Sequence, residues 1–322
     1  MNIAPISEDW PILQEFYNQL AQKLHAQGVK SLTTGGIACV FYAVNQKTKD
    51  CDIIIPVEQT ATVCGVLAET TFAGQKCHLT LKYGAPLAEK WLNGGWSSHT
   101  FFGDFETKPF ARVDLFGKPP RVRSLLSDEN PIYLSREGVA QMKKTRREKD
   151  WGYGNLLGCQ MLTRGNPEGL LHLTEIKILT QYIMMTQVSE QLLQERPLLK
   201  LALAGSPDLE RYLKAEKEFW FRLDDLRLTA YETEWEAYGK ALQTHPELLS
   251  MDFIAQNQAM TDIAEQTLDP APLREPKWQN IVEKAKTDTA RIFHDLNIDL
   301  LPTPIAFFNE KAESPSPNDP EL

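Results

Sequence analysis

Hydrophobic positions follow a helical period at the start of the chain, where residues 8–28 place an apolar side chain every three or four positions. Gly28 ends this pattern in the position where glycine commonly closes a helix. The spacing therefore predicts one amphipathic helix. Its apolar positions are Ile12, Leu13, Phe16, Leu20 and Leu24.

Shorter apolar or alternating segments follow, and their pattern is typical of strands. The predicted strands are a short one that ends at Gly35 and Gly36, and then residues 52–57, 76–84 and 109–117. Residues 58–73 have a helical pattern instead. Residues 37–45, IACVFYAVN, fit either a strand or a helix that starts at the glycine turn, and both alternatives stay open.

The glycine-rich and aromatic segment WLNGGWSSHTFFGDF, residues 91–105, predicts a hairpin loop with buried aromatic side chains. The alternative is a lid or a loop that stacks on a base. The aromatic residues between 212 and 238 fall near helical spacing, so core packing is favoured for them over ligand binding.

The pattern changes to long helical periods from about residue 134. Ser135 is a suitable N-cap for a helix that is basic in its middle. Four amphipathic stretches follow a turn at 164–169, and prolines separate them. These stretches are residues 170–195, 207–243, 247–267 and 277–296.

The predicted fold is therefore α/β (α+β), with a mixed sheet and flanking helices over residues 1–160 and an all-α domain over residues 161–308. The polar, proline-rich residues 309–322 predict a disordered tail.

Composition narrows the class of protein. The chain has 322 residues, a formal net charge of -9 and 42% hydrophobic residues, which is typical of a soluble globular protein. This charge argues against a broad surface that coats nucleic acid, although a local basic groove stays compatible with it. No apolar run is long enough to span a membrane, and the N-terminus lacks the features of a secretory signal.

The cysteines and histidines indicate neither a disulfide framework nor a metal centre. Five cysteines occur without a CxxC pair, and the six histidines are scattered without an HExxH or HxH motif. A reducing, cytoplasmic location is the expectation.

Three acidic positions and a glycine pair indicate a possible catalytic centre. Asp50 and Asp52 stand at the start of the apolar strand and share one face if the chain is extended, while Asp114 interrupts a later apolar strand. Burying like charges together is costly unless a cation lies between them. Carboxylate oxygens suit hard divalent cations, two of which can clamp a phosphoryl transfer. The Gly35-Gly36 turn could then hold phosphate oxygens with its backbone amides.

A glycosyltransferase that holds a nucleotide sugar through a metal also uses a DxD motif. An apolar strand generally precedes the motif in such enzymes. Here QKTK precedes Asp50 and III follows Asp52, and this order argues against a glycosyltransferase.

The segment LTTGGIACVFYAVNQKTKDCDIII resembles the nucleotidyltransferase superfamily, which has the DNA polymerase β-like fold. It looks most like the AbiEii-like abortive-infection branch, whose members show a glycine pair and a T-x-D-x-D ending that Thr48, Asp50 and Asp52 match. The basic segment MKKTRREKDWGYGNLLG is similar to the helix that follows the core of that family, with the R-x-K-D ending at residues 147–150. The resemblance covers residues 30 to 157.

This resemblance implies transfer of a nucleoside monophosphate from an NTP to a hydroxyl acceptor. Its expected nucleotide-binding residues are Gly35, Gly36, Thr48, and either Lys143 or Lys144. Its expected catalytic and metal-binding residues are Asp50, Asp52 and Asp114, with Mg²⁺ or alternatively Mn²⁺ as the ion. Asp114 would also accept the proton of the attacking hydroxyl.

Two positions depart from the family pattern. Gln46 stands where an arginine is common, and Tyr153 stands where a second aspartate often occurs. The basic residues between Arg136 and Lys149 fit a solvated helix face, or alternatively a groove for a triphosphate or an RNA end.

The resemblance also implies partners. The acceptor would be an RNA end, a protein or a small molecule, and the chain would be the toxin of a toxin–antitoxin pair with an antitoxin protein as its partner. The alternative function is a non-catalytic module on the same fold that binds a nucleotide or a protein.

Overall fold

A six-stranded mixed sheet forms the centre of the molecule in a computed structural model that describes residues 9–103, 110–119, 121–122 and 125–304. In this part of the chain the strands are β1 (Leu32–Thr34), β2 (Cys51–Ile54), β3 (Thr71–Phe72), β4 (Gln75–Leu79), β5 (Ser97–Phe102) and β6 (Ala111–Phe116). Their order is β1-β2-β6-β5-β4-β3. The β2–β6 pair is parallel and the other pairs are antiparallel. The predicted mixed sheet with flanking helices is confirmed at this level, and the finer prediction of a nucleotidyltransferase fold stays a prediction.

Helices surround the sheet and make up most of the second half. Within the described ranges the first six are α1 (Trp10–Ala26), α2 (Gly35–Phe41), α3 (Thr60–Ala68), α4 (Glu89–Asn93), α5 (Arg136–Met142) and α6 (Glu148–Thr163). The remaining six are α7 (Ile176–Ile183), α8 (Glu190–Glu195), α9 (Leu199–Leu203), α10 (Leu209–Gln243), α11 (Phe253–Thr267) and α12 (Lys277–Ile292).

The helix predicted at the start of the chain is confirmed as α1. It buries its apolar positions except Ile12, which is 55% exposed, and Gly28 follows it with a φ of +77°. The open alternative for residues 37–45 is resolved in favour of a helix, since α2 begins directly at Gly35. Ser135 caps α5 as predicted, because its hydroxyl accepts a hydrogen bond from the Gly138 amide at 3.2 Å.

The prediction of a loop over residues 91–105 is wrong. The segment contains the end of α4 and then the whole of β5, which lies between β4 and β6 in the sheet. The glycine pair ends at Gly95, which has a φ of +88°, and β5 begins two residues later at Ser97. Residues 104–105 lie outside the described part of the chain.

Several predicted elements are shorter than expected. The helix expected over residues 58–73 ends at Ala68, and β3 follows; the strand expected over 76–84 ends at Leu79. The stretch 170–195 is divided into α7 and α8, whereas 207–243 is confirmed as the single helix α10.

The basic helix after Ser135 is interrupted, because α5 ends at Met142 and α6 starts at Glu148. Residues 143–147 between them form a connection that turns the basic side chains in different directions.

The two faces of the sheet differ in character. Cys51 and Ile53 of β2 and Val113 and Leu115 of β6 are fully buried and belong to the largest apolar cluster. The next residues along each strand point to the opposite face, as strand geometry requires. That opposite face carries Asp52 and Asp114.

The C-terminal helices pack on the sheet. Gln256 of α11 donates to the Leu79 carbonyl oxygen at 3.2 Å and accepts from the Leu79 amide at 2.7 Å. The largest apolar cluster accordingly includes residues from Trp10 to Leu301. The division into domains at residue 160 stays a prediction.

Other predictions concern the tail and the environment of the chain. The tail predicted at 309–322, together with residues 305–308, lies outside the described residues. All five cysteines are free thiols. Among the described helices, none combines the length and the apolar character needed to cross a bilayer.

Candidate functional site

A row of polar side chains crosses four neighbouring strands on one face of the sheet. Thr34 of β1 pairs with Asp52 of β2, Asp52 pairs with Asp114 of β6, and Asp114 pairs with His99 of β5. Directly opposed residues of neighbouring strands project to the same side, so these four side chains form one line. The parallel pairing of β2 with β6 thereby brings together two carboxylates that are 62 positions apart in the sequence.

Asp52 lies against the glycine turn. A Cβ atom added to Gly35 would come within 1.7 Å of the Asp52 Oδ2 atom, and Gly35 has a φ of +62°. A Cβ atom on Gly36 would come within 2.2 Å of the Thr48 Oγ1 atom. Both glycines are therefore required by close packing, and Gly35 also by its backbone conformation.

The surroundings of Asp52 disfavour the ionised form of its carboxyl group. Burial, followed by the neighbouring carboxylates of Asp114 and Asp50, raises the pKa of Asp52 to about 7. Asp50 itself is half-buried, and its Oδ1 atom accepts a hydrogen bond from the Thr48 hydroxyl at 2.9 Å. The register places Asp52 beside Asp114, whereas the prediction that Asp50 joins them in one site stays a prediction.

Asp114 has a contrasting environment. Arg112 binds it with two hydrogen bonds, from Nε to Oδ1 at 2.9 Å and from Nη2 to Oδ2 at 2.6 Å. His99 Nδ1 lies 2.7 Å from the same Oδ1 atom. Burial opposes ionisation of Asp114, but His99 and Arg112 outweigh it and hold the pKa of Asp114 below its ordinary value.

A cleft of about 740 Å³ lies over this face of the sheet. Gly35, Asp52, His99 and Arg112 line it from the sheet side, and α10 lines it from the opposite side. Its cationic lining residues are Lys82, Arg112, Arg121, Lys143, Arg146, Arg147 and Arg227. Its anionic lining residues are Asp52, Asp224 and Glu232. Four of these cations pair with Asp114, Asp150 or Asp225 and two pair with Asp224, so the lining offers guanidinium and ammonium donors to an anionic ligand without a large excess of unpaired positive charge.

Aromatic residues also line the cleft, namely Tyr83, Trp96, Phe116, Tyr231 and Trp235. Trp96 and Tyr231 contact each other edge to face at 4.7 Å, and Trp235 donates from Nε1 to the Gly84 carbonyl oxygen at 2.8 Å. Most of the aromatic residues between 212 and 238 are buried, as core packing predicts. Tyr231 and Trp235 contribute to the cleft in addition.

The two candidate lysines point in different directions. Lys143 lines the cleft, with Nζ 3.8 Å from Asp150 Oδ1. Lys144 lies with Nζ 5.0 Å from the centre of the Trp220 ring and lines a separate, smaller pocket. Of the two alternatives, Lys143 therefore lies where a ligand beside Asp52 could meet it.

The R-x-K-D motif, residues 147–150, stabilises the connection between α5 and α6. Asp150 is 1% exposed, and its Oδ2 atom accepts hydrogen bonds from Thr145 Oγ1 at 2.8 Å and Arg147 Nε at 2.7 Å. Tyr153, at the second departure from the family pattern, donates its hydroxyl to Asn45 Oδ1 at 3.2 Å. These contacts hold residues 143–147 at the rim of the cleft.

Some of the carboxylate oxygens at the centre of the site are suited to bind a divalent cation, and others already have hydrogen-bond donors. Asp50 and Asp52 offer carboxylate oxygens, and the crowding that disfavours ionisation of Asp52 is a situation that a cation would relieve. The oxygens of Asp114 already accept three hydrogen bonds. Within the described ranges, no three His, Cys, Asp or Glu side chains are arranged to hold a metal ion.

The sequence prediction missed Arg112, His99 and the α10 side of the cleft. Arg112 precedes Asp114 by two positions, and in a strand this spacing places both on one face, which is a signal that could have indicated it. His99 lay in a segment interpreted as a loop. Asp224 and Arg227 are separated from the sheet residues by more than a hundred positions, and no local pattern connects them.

No protein-family model matches the chain, and no curated protein shows detectable sequence similarity to it.

Proposed function

We propose that the protein is a metal-dependent nucleotidyltransferase that moves a nucleoside monophosphate from an NTP to a hydroxyl acceptor. The observation that carries this proposal is the position of Asp52, which lies in register beside Asp114 and directly against Gly35 at the base of a cationic cleft. A carboxylate with a raised pKa in a cleft is a candidate functional group.

Asp50 and Asp52 are the proposed ligands of Mg²⁺, or of Mn²⁺. When bound, the ion would neutralise phosphate charge and polarise the phosphorus that is attacked. Asp114 is proposed to act through Arg112 and His99, because its oxygens are already occupied by these partners.

The remaining groups would bind the triphosphate and the base. Lys143 and the guanidinium groups at the rim would offset the charge of the phosphates. The Gly35-Gly36 turn would lie beside them. The aromatic side chains of the cleft would contact the nucleobase, since every base offers a flat face for stacking. Positioning and charge neutralisation would supply most of the rate.

The acceptor and the biological role are proposed from the resemblance alone. An RNA end, a protein side chain or a small molecule would provide the hydroxyl, and an antitoxin protein would control a cytoplasmic toxin.

A second candidate function is a nucleotide- or protein-binding module without catalysis. The bidentate contact of Arg112 with Asp114 favours it, because a guanidinium occupies oxygens that a catalytic ion would otherwise contact. The module would still bind an anionic ligand in the cleft.

Incubation with Mg²⁺, α-phosphate-labelled NTPs and total cellular RNA or protein tests the first candidate. We expect labelled acceptor, or labelled NMP where water replaces the acceptor. Asp52→Asn should lower this rate by about 1,000-fold, because the ion supplies several kcal/mol of transition-state stabilisation. The matched control is Asp225→Asn. Asp225 lies on α10 and is the half-exposed ion-pair partner of Arg146.

Binding of an NTP without release of NMP or labelling of any acceptor would support the module instead. Equal rates for the native chain and Asp52→Asn would contradict the enzymatic proposal directly.

A further inference from the structure

Ser97, His99 and Asp114 form a continuous hydrogen-bonded chain at the edge of the cleft. Ser97 Oγ lies 2.9 Å from His99 Nε2, and His99 Nδ1 lies 2.7 Å from Asp114 Oδ1. Ser97 and His99 are two positions apart on β5, so both project toward the cleft, and both line it together with Asp52.

The orientation of the His99 ring is fixed by its surroundings. The edge of the ring meets Tyr83 with centroids 4.7 Å apart, and a Cβ atom on Gly84 would come within 2.4 Å of the ring. An ionised carboxylate only accepts hydrogen bonds, so Nδ1 must donate to Asp114. In the neutral imidazole Nε2 then carries the lone pair, and this nitrogen faces the Ser97 hydroxyl.

Asp114 is poorly arranged to take a proton itself. Its two oxygens accept three hydrogen bonds, two of them from the Arg112 guanidinium. A carboxylate held in this way is a weak base. Its partner His99 lines the cleft, and the neutral ring has an acceptor atom at Nε2.

We infer that the hydroxyl acceptor binds at Nε2 of His99, in the position that the Ser97 hydroxyl occupies, and that His99 is the general base for the transfer. This inference rests on the proposed nucleotidyl transfer and names a different base from the one the sequence predicted. Asp114 becomes a positioning residue that holds the ring through Nδ1.

The step balances as a displacement at phosphorus. The acceptor oxygen forms a bond to the α-phosphorus, and the bond from that phosphorus to the oxygen bridging to the β-phosphate breaks. Pyrophosphate leaves, and the proton of the acceptor hydroxyl passes to Nε2 of His99.

Two substitutions separate a base from a structural contact. His99→Asn keeps an amide near the position of Nδ1, where it can still donate to Asp114, and removes the Nε2 atom. His99→Gln places an amide near the position of Nε2 and removes the donor to Asp114. The matched control is His78→Gln, because His78 lies on the neighbouring strand β4 opposite Phe101.

The measurement is the release of labelled NMP from α-labelled ATP, CTP, GTP and UTP in Mg²⁺, with water as the acceptor, alongside NTP binding by equilibrium dialysis. We expect both His99 variants to lose about 100-fold or more in rate at unchanged NTP binding, and His78→Gln to keep the native rate.

A native rate in His99→Asn, with a loss only in His99→Gln, would show that the ring merely holds Asp114. That result would overturn the inference. Native rates in both variants would overturn it as well, while Asp52→Asn in the same assay would still test the proposed function. A native chain that binds NTP and releases neither NMP nor labelled acceptor would refute both.

Discussion

Asp52 and Asp224 line opposite sides of the same cleft, and their environments are opposite in sign. Asp224 on α10 accepts hydrogen bonds from Arg121 at 3.2 Å and Arg227 at 2.9 Å, and also from the Arg146 amide at 3.2 Å. Burial opposes its charge, but Arg121 and Arg227 outweigh burial and lower the pKa of Asp224 to about 2. Burial and like charges raise the pKa of Asp52 to about 7.

The difference separates a structural carboxylate from one that is prepared for a ligand. A buried charge with matched partners is held in its ionised form by the fold. A partly buried carboxylate among like charges, such as Asp52, is costly to ionise in the absence of a cation, and natural proteins concentrate such costs at functional sites. Four measurements of stability test this contrast between the two carboxylates.

The largest expected effect is that of Asp224→Ala. Removing this carboxylate leaves the Arg121 side chain, which is 5% exposed, without its acidic partner. We expect a loss of about 3 to 5 kcal/mol in the free energy of unfolding, measured by urea denaturation at neutral pH. Asp225→Ala, next in the chain, breaks an exposed ion pair with Arg146 and should cost less than about 1 kcal/mol. Equal losses in the two variants would contradict the structural role of Asp224.

The second effect is that of Gly35→Ala, which sharpens the placement of Asp52. The added methyl group would overlap the Asp52 carboxylate and would also impose backbone strain at a φ of +62°. We expect a loss of about 2 to 4 kcal/mol. Gly28→Ala has the strain at a φ of +77° but nothing within 4 Å of its Cβ, so about 1 kcal/mol is expected. If the two variants unfold alike, the Asp52 carboxylate does not pack on Gly35.

The third effect is a gain in stability. Because the pKa of Asp52 is raised in the folded chain, its ionisation costs folding free energy as the pH rises from about 4 through about 7. Asp52→Asn removes this cost. Chemical denaturation in a chelator should show the variant more stable by about 1 to 2 kcal/mol at pH near 8, and no more stable at pH near 4. A variant that is less stable at both pH values would contradict the proposed repulsion.

The smallest effect concerns the ion. Millimolar Mg²⁺ should raise the melting temperature of the native chain by a few degrees, because a ligand that binds only the folded state stabilises it. Asp52→Asn should show no such shift, while Asp225→Asn should behave like the native chain. A shift of the same size in all three proteins would place the ion elsewhere.

The sequence predicted the parts of the site that depend on local pattern. The apolar run after Asp52 and the interruption of an apolar strand by Asp114 were sufficient to place both on strands, and the glycine pair was correctly associated with them. The side of the strand follows from its period of two, which also places Arg112 beside Asp114.

The remaining parts depend on packing between distant segments. The sequence predicts a loop in place of β5 because the glycines before Trp96 dominate the local pattern, although the residues after Trp96 are favourable for a strand. The contact of Arg121 with Asp224 joins residues 103 positions apart, and a single sequence carries no periodic signal for such a pair. The division of the basic segment at Met142 likewise reflects the Arg121 and Asp150 contacts more than helix propensity.

The length of α10 has a consequence for the organisation of the chain. This helix has 35 residues and therefore extends for about 52 Å. Glu216 near one end is clamped by Arg196, and Tyr238 near the other donates to the Met260 carbonyl oxygen. Between these two contacts, α10 forms the side of the cleft that faces the carboxylates of the sheet. A fragment cut at residue 160 would retain Asp50, Asp52 and Asp114 but leave them on an open surface, so the shape of the cleft depends on the second half of the chain.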